Sequence, residues 1–206
     1  MTTKFENFDE GRTPVRIPID SMVLHGDLSI VHDALGIVIF VHGSGSSRFS
    51  PRNRYVAAEL NEQGLATLLL DLLTEEEHSV DEETAVYRFD IPLLAGRSTL
   101  AANWVHKQPG TDQLPIGLFG ASTGAAAALI TAAEMGQRIA AVVSRGGRPD
   151  LAKEALPKVI APTLLIVGGE DETVLALNKR AKAQMRCTTK LQSCPERRIC
   201  SKSEKH

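Results

Sequence analysis

Five short stretches of the chain are almost wholly apolar: Gly36–Val41, Ala66–Asp71, Ile116–Gly120, Ile139–Ser144 and Pro162–Gly169. A strand apolar on both faces belongs in the buried middle of a parallel sheet. Two earlier segments behave differently. Val15–Asp20 alternates apolar and polar residues, and Met22–Val31 follows after a short polar break. Alternation marks a strand with one wet face, so the pair predicts an antiparallel hairpin at a sheet edge.

Helical patterns separate the strands. Pro51 opens one and Gly64 closes it; another runs from Ile91 to about Lys107, ended by Pro109-Gly110. A third spans Ser122 to Met135 and stops at Gly136, a shorter candidate covers Asp150–Val159, and a last one begins at Glu172. Proline at the start and glycine at the end are the expected punctuation of a helix. This alternation predicts an α/β fold: a mostly parallel, doubly wound sheet with helices on both faces. The acidic run Thr74–Thr84 reads as a solvated loop or short lid, and the segment to Arg88 as a possible cover over the site.

Length and composition narrow this little. A chain of 206 residues suits one domain, assigned here to 1–192, with 193–206 standing apart as an aberrant tail expected to be disordered. A net charge of -2 gives no electrostatic footprint for nucleic acid or an acidic membrane. No apolar run reaches the roughly 18 residues of a membrane span. The opening "MTTKFENFDEGRTP" has no secretory core and the chain holds 3 cysteines, so a cytoplasmic protein is expected.

The chemistry concentrates at Gly120-Ala121-Ser122-Thr123-Gly124, which is G-x-S-x-G between an apolar strand and a helix. That pattern presents a serine on a sharp, strained turn. The glycines avoid collisions with neighbouring backbone, and the small residues Ala125–Ala128 let the helix lie close to the sheet. The helix N-terminus aims N–H groups at a developing oxyanion. "VHGSGSS", Val41–Ser47, follows the first central strand and could supply a second N–H. The expected donors are the backbone N–H groups of Ser44 and Thr123. No Lys-Ser/Thr completes a phosphate loop there. His42 precedes the serine and is read as structural. Asp171, after the Gly168-Gly169 turn, is the candidate acid that orients a histidine.

"VHGSGSS", "GLFGASTGAAAAL", "VVSRGGRPDLA" and "PTLLIVGGEDE" together resemble the dienelactone-hydrolase-like branch of the α/β-hydrolase superfamily, over roughly Val15 to Gln192. The resemblance implies a Ser-Asp-His triad, with Ser122 and Asp171 matching. Dienelactone hydrolases proper use a cysteine nucleophile; a serine stands here. No metal and no cofactor are expected, and the substrate would be a small ester-like molecule: a carboxylic ester, thioester or lactone. Arg145 and Arg148 could bind an anionic substrate group or pair with surface acids.

The triad order requires a histidine after Asp171, and the only one is His206. The family places its histidine in a G-x-x-H loop between a last strand and a last helix. Here Thr188–Gln192 begins such a strand and the pattern stops. One permitted back-translation of Ser193–His206, read from its third base, encodes "VPGATHLFEERET", a strand end, a histidine loop and a helix start. The expectation is therefore a frameshift near Gln192, a missing last strand and helix, and a weakened, aggregation-prone enzyme. Resequencing the gene through Gln192 tests it. Cys187, Cys194, Cys200 and His206 lack the close cysteine pair of a structural zinc site. The rival functional class is a non-catalytic hydrolase relic that binds a ligand or partner.

Overall fold

The structure, a computed structural model, describes residues 11–194. Eight strands form one sheet in the order β1-β2-β4-β3-β5-β6-β7-β8. β1 (Thr13–Ile19) and β2 (Met22–Ser29) make the expected hairpin, closed by a tight turn with Asp20 at φ 48°. β2 then pairs antiparallel with β4 (Ala66–Leu70). From β4 through β3 (Ile37–Val41), β5 (Ile116–Ala121), β6 (Ile139–Arg145), β7 (Thr163–Gly168) and β8 (Thr189–Cys194), every pairing is parallel. The carboxyl ends of the central strands therefore share one edge, the place where open α/β sheets hold their ligands.

The strand period of two sorts the core onto two faces. Ile39, Leu68 and Leu118 join the larger cluster, with α3 (Ile91–Val105) and α4 (Thr123–Met135) packed against it. Phe40, Leu69 and Phe119 point the other way and meet Ala57 of α1 (Pro51–Glu62). α4 can lie flat because Ala125–Ala128 are wholly buried and bring no bulk. No helix among the described residues is long and apolar enough to cross a membrane.

The structure departs from the sequence reading in three places. The acidic run is not a loop: Glu75–Thr84 forms a helix, α2, with Thr74 and Glu77 making a reciprocal capping box. Three glutamates in its first turn suit the positive end of the helix dipole. The buried Arg97 donates to Glu77 at 2.7 Å and ties α2 to α3. Removing one partner of such a pair leaves an uncompensated charge, so Glu77→Ala should destabilise the fold by about 3–5 kcal/mol in urea unfolding.

Second, the weak helix at Asp150–Val159 is a 3-10 segment, Pro149–Lys158, broken at Lys153 where φ is 44°. Third, the last strand is not missing. β8 runs to Cys194 and pairs with β7 from Thr163↔Thr189 to Gly168↔Cys194. The helix expected after it, and most of the tail, lie outside the described residues, as do Cys200 and His206. α5 (Glu172–Gln184) fills the expected place between β7 and β8.

Candidate active site

Ser122 stands between the end of β5 and the start of α4 with φ 50° and ψ -125°. A non-glycine residue there carries strain of roughly 1–3 kcal/mol and persists only where its surroundings hold it. Two backbone N–H groups do so: Ala125 and Arg148 donate to the Ser122 carbonyl at 3.2 and 3.0 Å. The side chain is exposed, and among the described residues nothing hydrogen-bonds its Oγ.

The glycines around it are there for space. A Cβ on Gly124 would lie 2.2 Å from the Val41 carbonyl oxygen and 2.4 Å from that of His42. One on Gly120 would meet Ala125 Cα at 2.5 Å. One on Gly43 would strike Ser122 Cβ at 2.7 Å, so the loop after β3 is pressed against the serine. Gly45 differs: its φ of +66° calls for glycine while its surroundings leave room.

The loop places Ser44 beside the elbow with one unforeseen contact. Its backbone N–H donates to Thr123 Oγ1 at 3.0 Å. The N–H of Thr123 lies in the first turn of α4, where backbone donors have no partner inside the helix.

Ser122 opens into a cleft of about 450 Å³ lined by Gly43, Ser44, Asn53, Ala121 and Arg145, among others. Arg145 lies over the Phe119 ring, 5.6 Å from its centre, and donates to Asn53 Oδ1 at 3.1 Å. Arg148 behaves differently. It grips Asp150 through Nε and Nη2 at 2.9 and 2.8 Å, the pairing alternative left open by the sequence. Asp171 lies just past β7 at the same sheet edge, exposed, and its Oδ1 caps α5 by accepting from Val174 N–H at 3.0 Å. It does not line the Ser122 cleft. The carboxyl end of β8 emerges beside it, since Gly169 N–H donates to the Cys194 carbonyl at 2.7 Å.

His42 is spoken for on both ring nitrogens. Nδ1 meets the Gly43 carbonyl at 2.9 Å, and Nε2 accepts the Leu72 N–H at 3.0 Å. That fixes a neutral tautomer and leaves no lone pair for a serine proton. Burial holds its pKa below the usual 6.5, against opposing pulls from the Gly43 carbonyl and Asp71 and with a push from His78. The unfolded chain takes up a proton below about pH 6.5 and the folded one resists. Its contribution is thus full above that pH and lost as pH falls towards the lower folded value. Urea unfolding from about pH 7.5 to pH 5 should show stability falling with acid, and His42→Gln should flatten the slope.

Beside His42 lies a second cavity of about 230 Å³ that also takes in His25, Arg48, Asp71, Glu75 and His78. No histidine lines the Ser122 cleft among the described residues. Sequence reasoning missed Asn53 as the partner of Arg145. It also missed Arg48, whose backbone N–H donates to Asp71 Oδ1 at 2.7 Å and whose guanidinium pairs with Asp71 and Asp27. These pairs join residues far apart in the chain, and no local pattern announces them.

A strained serine at a strand-to-helix turn on a mostly parallel sheet, with a glycine loop beside it and an edge hairpin, has the architecture of the α/β-hydrolase fold. The dienelactone hydrolase family model matches residues 25–192, and the chain belongs to that family. A dienelactone hydrolase from Anabaena variabilis superposes with a TM-score of 0.88 at 54% identity, covering 90% of this chain and 86% of that one. Est1E from Butyrivibrio proteoclasticus shares the fold alone, with a TM-score of 0.70 at 16% identity over 88% of each chain. Two Mycobacterium tuberculosis proteins named as phosphoribosyl transferases are 54% identical over 169 residues, 82% of this chain. The chain spans 37% of the length of those curated relatives.

Proposed function

We propose that the chain is a serine hydrolase acting on ester-like bonds of a small molecule through an acyl-enzyme. Ser122 attacks, the backbone N–H groups of Thr123 and Ser44 hold the oxyanion, and Asp171 orients a histidine that takes the serine proton. The observation that carries this reading is the exposed Ser122 at φ 50° and ψ -125°, a strained conformation enforced by glycines that have no room for a Cβ. Arg145, on the cleft wall, would face an anionic group of the substrate.

The base is the component the described residues do not supply. His42 is bonded at both nitrogens, and among the described residues no histidine lines the cleft. We propose that in this chain the nucleophile is intact and proton transfer is the weak step.

A fluorophosphonate probe tests the reading. Slow labelling that added imidazole accelerates, and that Ser122→Ala abolishes, supports an addressable serine. No labelling with or without imidazole favours the ligand-binding relic instead.

A further inference from the structure

In an oxyanion hole of the usual kind, two backbone N–H groups face the developing charge. Here the Ser44 N–H is already engaged, donating to Thr123 Oγ1 at 3.0 Å. Thr123 is 5% exposed, and among the described residues nothing accepts its hydroxyl proton. A hydroxyl both accepts and donates. One that accepts from Ser44 keeps its own proton for another acceptor. Thr123 directly follows Ser122, and its Oγ1 lies against the Ser44 N–H; Ser44 and Ser122 both line the cleft.

We propose that the Thr123 hydroxyl is itself an oxyanion donor. It stands between the Ser44 N–H and the substrate oxygen, accepting from the first and donating to the second. The proposal rests on the serine-hydrolase reading above and revises it at one point, since the Ser44 N–H reaches the oxyanion through Thr123 rather than directly. As Ser122 Oγ adds to the substrate carbonyl, the oxygen gains negative charge and the Thr123 O–H shortens its hydrogen bond to it. No proton is transferred. The Ser44 N–H polarises the hydroxyl from behind, and such chains of hydrogen bonds strengthen one another in a site of low dielectric. Ser44 thus acts through Thr123 and is a positioning residue. The backbone N–H of Thr123 supplies the other donor, so one residue presents both.

The alternative arrangement is a cap: the hydroxyl occupies the Ser44 N–H at rest and swings away when substrate enters. The two predict opposite results for Thr123→Val, which keeps the shape and loses the hydroxyl. Inactivation of the whole chain by a fluorophosphonate, with imidazole supplied as base, separates the maximal rate of serine modification from probe affinity.

If the hydroxyl donates, Thr123→Val lowers the maximal rate by roughly 10²-fold, as loss of one oxyanion donor does, with affinity little changed. Thr123→Ser then brings the rate back towards the parent value. That recovery, and an unaltered urea midpoint, set a donor apart from a merely structural hydroxyl. An unchanged or faster rate in Thr123→Val overturns the proposal and leaves the hydrolase reading standing. A parent chain that does not label at Ser122 under any of these conditions overturns both.

Discussion

Replacing residues 193–206 with "VPGATHLFEERET" is expected to raise esterase turnover by several orders of magnitude. In another serine hydrolase, the triad histidine alone is worth about 10⁶ in kcat. The sheet says where such a histidine would arrive. β8 pairs with β7 as far as Gly168↔Cys194, and the Gly169 N–H holds the Cys194 carbonyl. Cys194 thus sits beside the turn that carries Asp171, the acid proposed to hold the imidazole. A loop from that point has to cross β7 and β6 to stand over Ser122. Turnover of a simple aryl ester by the parent and the replaced chain is the measurement. Both should fold, because the replacement begins where β8 is nearly complete. No gain in turnover would show that the base does not enter from this end of the sheet.

The second large effect concerns stability. Gly124→Ala places a methyl 2.2 Å from one backbone carbonyl oxygen and 2.4 Å from another. No flexible side chain can give way. Either α4 lifts off the sheet or the end of β3 moves, and overpacking of this kind costs about 3 kcal/mol or more. Against a total stability of about 5–15 kcal/mol, that moves the urea midpoint far down or leaves the protein unfolded. Gly96 is the control. It lies within α3, where an added Cβ would meet nothing within 4 Å, so Gly96→Ala should stabilise by about 0.5–1 kcal/mol. A Gly124→Ala variant as stable as the parent would mean the elbow is looser than the packing indicates.

The contrast between these glycines shows what the sequence can and cannot tell. Gly120 and Gly124 are legible because G-x-S-x-G has a spatial cause that any strand–turn–helix must obey. The apolar runs at Gly36–Val41 and Ile116–Gly120 are legible because burial on both faces leaves no other composition. α2 escapes the sequence reading although its signal is present. Thr74 and Glu77 have the spacing of a capping box, but the surrounding acids suggest solvent. What makes that helix stand is the Glu77–Arg97 pair, which no local pattern contains. The contact of Ser44 with Thr123 joins residues 79 apart in the chain, and only the folded elbow brings them together. The end of β8 is hard to read in the sequence because Ser193 and Cys194 continue no apolar run. An outer strand keeps its register through backbone hydrogen bonds and needs little from its side chains.

The pairs that Arg48 makes tie the glycine loop after β3 to the edge of the sheet. Asp71 follows β4 and Asp27 lies in β2; Arg54 of α1 reaches the same Asp27 at 3.5 Å. The edge hairpin therefore acts as a mooring for the wall of the cleft. Trimming the chain at its start to leave only the parallel strands would slacken that wall while leaving Ser122 untouched. In this protein a binding defect could arise from the end of the molecule most distant in sequence from its nucleophile.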